Sequence, residues 1–74
     1  MHKIHDRYLI KEDCMYGKKG QVLHIEDIQF ANFNGTFICN ILVIVTQNQN
    51  YVHRLSLDGE SFIDHITTGE IVKL

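Results

Sequence analysis

Residues 36 to 46 read TFICNILVIVT, eleven positions without charge, glycine or proline. β-branched and aromatic side chains dominate the run, and such residues favour an extended, packed backbone. Asn34-Gly35 stands immediately before it. That dipeptide supplies the positive φ angles of a two-residue hairpin turn, so the run reads as a strand and not as a helix. Phe37, Cys39, Ile41, Val43 and Val45 fall on one face, and Ile38, Leu42 and Ile44 on the other, interrupted only by Asn40. Two apolar faces predict two covers.

Upstream, Gln21 to Phe33 places Leu23 and Ile25 on one parity and Ile28 and Phe30 on the other. The slip falls at Glu26-Asp27, and one extra residue in a strand is a β-bulge, so a bent strand is expected. The competing reading is a helix at 24–33 ended by Gly35, which would leave Phe30 and Phe33 flanking its polar side. Ile4 to Lys11 alternates as a half-buried strand, with Asp6 and Leu9 out of pattern. Between the two, Glu12 to Gly20 combines charge with two glycines three apart, which predicts a flexible loop.

Downstream, Gln47 to Asn50 reads as a polar turn, and Tyr51, His53, Leu55 and Leu57 alternate with Val52, Arg54 and Ser56 as a strand with one dry face. Asp58 is placed to cap a short helix through Glu60, Phe62, Ile63 and Ile66, with Gly69 as its stop. Glu70 to Leu74 closes as a short strand. The expected fold is mostly β, one domain over residues 1–74. It is a small five-stranded, strongly bent antiparallel sheet or Src-homology-three-like barrel, with one short helical turn before the last strand. The alternative is an α+β fold with the helix at 24–33.

Composition narrows the function classes. The 74 residues are 45% hydrophobic and 22% charged, the balance of a globular chain, and the net charge of −2 gives no global pull toward nucleic acid or anionic lipid. Five of the seven basic residues lie in the first twenty, for a local charge of +2. Two cysteines without an export signal predict reduced thiols and a cytoplasmic protein, Cys39 acting as a small hydrophobe. No apolar stretch reaches the roughly 18 to 20 residues of a spanning helix, so no membrane is expected. Ten isoleucines and five asparagines against one alanine and no proline suggest an AT-rich coding sequence, as in phages and low-GC bacteria.

Gly17-Lys18-Lys19-Gly20-Gln21-Val22 resembles the turn of the KOW motif of ribosomal and transcription-elongation barrels. The resemblance covers these six residues and implies a backbone brought near RNA or a protein partner. Glu26-Asp27 departs from it by placing acid where such motifs stay neutral or basic. Arg7, Tyr16, Lys18 and Lys19 are the candidate binding residues of this reading, with the tyrosine ring stacking on a base. A lysine-bearing loop kept soluble is the simpler explanation.

No pattern for chemistry emerges. His24-Ile25-Glu26 begins a zinc-deaminase signature whose second half needs Pro-Cys, and the chain has no proline. The pair His2 and His5 does not repeat the spacing that holds zinc. Neither Ser56 nor Ser61 sits in a nucleophile elbow, and Cys14 lies beside Asp13, which does not lower a thiol pKa. Neither metal nor cofactor is therefore expected. The chain reads as a non-catalytic, stand-alone protein-binding module, a regulator or inhibitor of phage or mobile-element origin. Ile38, Leu42 and Ile44 form its candidate interface, to a partner protein or to a second copy as a homodimer. A nucleic-acid-associated accessory factor using the Gly17 to Gly20 loop is the alternative.

Overall fold

The computed structural model describes residues 4–74. Five strands form one antiparallel sheet: β1 (Arg7–Ile10), β2 (Val22–Phe33), β3 (Thr36–Gln47), β4 (Asn50–Asp58) and β5 (Ile71–Lys73). Their order across the sheet is β4-β3-β2-β1-β5, and helix α1 (Gly59–Thr67) connects β4 to β5. The sheet is open, with β4 and β5 at its edges. The helical alternative at 24–33 is overturned, since those residues lie within β2.

The local devices follow the chemistry of the sequence. Phe33 pairs with Thr36, leaving Asn34 and Gly35 as a two-residue loop with φ of 51° and 81°. Both angles lie in the left-handed region that asparagine and glycine tolerate best. The β2–β3 register shifts between Ile25 and Asp27, where the alternation slips. Asp58 caps α1, its carboxylate accepting the Ser61 amide at 3.2 Å. Gly69, at φ 84°, ends the helix: its amide donates to the Ile66 carbonyl and that of Glu70 to the His65 carbonyl. That pair of bonds is a Schellman stop, which turns the chain abruptly into β5.

α1 is a nine-residue helix, longer than the single turn expected, and it packs against one face of the sheet. Phe62 is fully buried there, edge-on to Tyr8 at 5.0 Å and to Tyr16 at 6.2 Å. Ile10, Leu23, Ile25, Ile41, Val43, Val45, Leu57 and Ile71 complete the core. Tyr16 enters it from the 12–20 loop and donates its hydroxyl to Ser61 Oγ at 2.6 Å. Gly17 permits that entry, because a Cβ would come 2.5 Å from Gln21 Oε1 and 2.8 Å from Ile10 Cδ1. The loop is thereby anchored, against the flexibility its composition suggests.

Three expectations are corrected. The first strand begins at Arg7 instead of Ile4, because His5 has a positive φ of 75° and breaks the extended run. The dry face of β4 excludes Tyr51: the register shifts between Val45 and Thr46, Tyr51 pairs with Thr46, and its ring is exposed. The central run has one full cover instead of two. Ile41, Val43 and Val45 are sealed in the core cluster that includes Phe62 of α1 and Tyr16, whereas Leu42 and Ile44 are half-buried on the outer face and Phe37 and Ile38 are exposed.

Candidate functional site: an apolar β-arm

β4 pairs with β3 only as far as Asn40, where Asp58 turns the chain into α1. On the other side β1 reaches β2 through Ile25, whose amide and carbonyl meet Asp6 and His5. Beyond those limits, among the described residues, β2 and β3 continue alone from Ile28 to Phe33 and from Thr36 to Cys39, joined by Asn34-Gly35. The result is a two-stranded arm in a molecule 41 Å long and 19 Å across its shortest axis.

Both faces of the arm are apolar. Phe30 pairs with Cys39 and Asn32 with Phe37, which places the two phenylalanines diagonally on the face continuous with the core. Ala31 pairs with Ile38 and Phe33 with Thr36 on the opposite face. Phe30 is 76% exposed, Phe33 69% and Phe37 80%. No Asp, Glu, Lys or Arg occurs between Asp27 and Arg54. This charge-free run is the signal that was legible in the sequence and not used: a strand pair meant to meet water on one face ordinarily carries charge there.

The outer face of the sheet behaves differently. Arg54 on β4 and Glu26 at the β2 bulge form a two-pronged ion pair, both nitrogen to oxygen distances 3.1 Å. Since β3 lies between those strands, the pair crosses over it at the level of Leu42 and Ile44. His24 adds a 2.9 Å bond to the Thr46 hydroxyl. Of the expected interface residues, Leu42 and Ile44 are thus partly roofed by the chain's own polar side chains, and Ile38 belongs to the arm.

The residues singled out for a basic site are not brought together. Tyr16 is 4% exposed and committed to the core, so its ring offers no stacking surface. Lys18 and Lys19 are exposed on the loop, where their amides bond to Gln21 Oε1 and Asp13 Oδ1. Arg7 lies on the outer face, lining a hollow with Gly20, His24 and Thr46. Burial raises the phenol pKa of Tyr16 above its ordinary value, partly countered by the bond to Ser61, and burial raises that of Tyr8 as well.

His65, Ser61 and Glu70 adjoin, with His65 Nε2 3.7 Å from Glu70 and Nδ1 2.7 Å from the Ser61 carbonyl. Both ring nitrogens face groups other than the Ser61 hydroxyl, so the cluster fastens the helix and does not prepare a nucleophile. Among the described residues no group of three or more His, Cys, Asp or Glu is placed to hold a metal, and His2 lies outside them. No helix among them is long and apolar enough to cross a membrane. No family model, curated protein or solved structure matches the chain.

Proposed function

We propose that this protein is a small, non-catalytic protein-binding module, a regulator or inhibitor that works by covering the apolar β2–β3 arm with another polypeptide surface. One observation carries the reading: Phe30, Phe33 and Phe37 stand exposed on a ribbon without a charged side chain. An isolated two-stranded hairpin is marginal in water, and clustered exposed rings mark a binding surface more often than a solvated one. Aromatic side chains also supply large contact area at small entropic cost, which suits them to anchor an interface.

The test is affinity capture of the tagged protein from its native cells after nuclease treatment, beside a Phe30→Thr, Phe37→Thr variant. A protein recovered with the wild type and lost with the variant is the expected result. Recovery abolished by nuclease would move the function to the Lys18-Lys19 loop and nucleic acid; recovery indifferent to the arm would remove the reading.

A further inference from the structure

The arm has edges as well as faces. Among the described residues, neither the edge of β2 from Ile28 to Phe33 nor the edge of β3 from Thr36 to Cys39 has a strand beside it. At the root of the β2 edge the Ile28 amide is taken by the Asp27 carboxylate at 2.9 Å. Strand alternation then aims the amides of Phe30 and Asn32 the same way, without such a cap among the described residues. The β3 edge is shorter, and at its root Gly59 of α1 stands so close that a Cβ there would lie 3.1 Å from Cys39.

We infer that the arm's occupant is a second copy of this chain, the two β2 edges pairing antiparallel about a twofold axis to join the arms into one four-stranded sheet. The inference rests on the arm being a protein-binding surface and names what it binds first. Three features favour a copy. A strand edge is self-complementary under a twofold, so each copy supplies the donors the other needs. Pairing centred near Ala31 keeps the two Asp27 carboxylates at opposite ends of the new ladder, and no other charge falls within it. It also brings Phe30 and Phe37 of each arm onto one shared face.

At roughly 150–200 Å² a ring, the exposed parts of Phe30 and Phe37, the rings on that shared face, offer about 230–310 Å² per copy, against the ~800 Å² a side of a standard interface. The newly paired β2 backbone adds to it. A charge-free surface, by contrast, offers nothing for an acidic or basic partner to select.

Sedimentation equilibrium of the full chain, from about 1 to 100 µM, tests this directly. A mass of two chains is expected, with Phe30→Thr, Phe37→Thr weakening association at least about a hundredfold while leaving the circular dichroism spectrum and thermal transition of the domain in place. A wild-type protein monomeric throughout overturns the dimer, as does a dimer that the double variant leaves intact. Binding of that monomer to phosphatidylcholine vesicles would overturn the protein-binding reading along with it. Arm-dependent capture of a different protein by a monomeric wild type would overturn the dimer alone.

Discussion

The two halves of the β2–β3 ribbon are built from the same kinds of residue and meet opposite fates. Near the root, Leu23, Ile25, Ile41, Val43 and Val45 are almost wholly withdrawn from water. A few residues outward on the same face, Phe30 and Phe37 are mostly exposed. Side-chain type does not separate them. What separates them is where the neighbours stop: α1, the Tyr16 loop and the flanking strands cover the root, and each ends before the arm begins. Apolar alternation records that a strand wants a cover, and topology decides whether its own chain provides one.

The contrast is most easily broken at phenylalanine. Phe62→Ala empties the centre of the core and should cost about 3–5 kcal/mol, a large part of the stability of so small a domain. Phe37→Ala, in protein dilute enough to be monomeric, should cost under about 1 kcal/mol, because little of its surface is buried to begin with. Urea denaturation of the two variants decides the matter, and comparable losses would mean that the arm is covered from within.

Glycine gives a milder version. At Gly17 an added methyl meets Gln21 and Ile10, so Gly17→Ala should cost about 1–3 kcal/mol through overpacking. Nothing stands within 4 Å of a Cβ at Gly35, where the penalty is only that of its φ of 81°, about 1 kcal/mol. Thermal melting of both proteins should place Gly17→Ala lower.

Alkaline pH acts on the root through its two buried tyrosines. Tyr8 and Tyr16 hold their protons more tightly in the folded state than in the unfolded chain. The stability this supplies is complete below pH ~10 and is lost as pH rises through the folded values. Unfolding free energies measured across that range should fall, and Tyr16→Phe should flatten the fall. The smallest effect is expected at the second hairpin, where Asn48 and Gln49 adopt φ of 50° and 67°. Gln49→Gly should relieve the left-handed strain and raise stability by about 0.5–1 kcal/mol, visible as a shift in urea midpoint.

Much of the frame was legible because the signals are local. Asn34-Gly35 announced its turn, the parity slip at Glu26-Asp27 its bulge, and Asp58 with Gly69 the two ends of the helix. The turn at Asn48-Gln49 carries no glycine, and the β4 shift that exposes Tyr51 leaves the alternation of letters unbroken. Tyr16 sits among charged residues, and only its distant partners, Phe62 and Ser61, bring it inside. The candidate interface was half legible: Ile38 stands on the arm, whereas the Arg54 and Glu26 pair over Leu42 and Ile44 joins residues 28 positions apart. Phe30, Phe33 and Phe37 fall within strands of the sequence pattern, and only the lengths of β1 and β4 reveal that, among the described residues, no cover reaches them.

Amide hydrogen exchange read at several protein concentrations puts the division between root and arm to its most direct test. Protection at Leu23 to Ile25 and Val43 to Val45 should not change with concentration, while that of Phe30 and Asn32 should rise as the chain associates and vanish on dilution. Strong protection of Phe30 and Asn32 that persists at every dilution would contradict an arm left for a partner to cover.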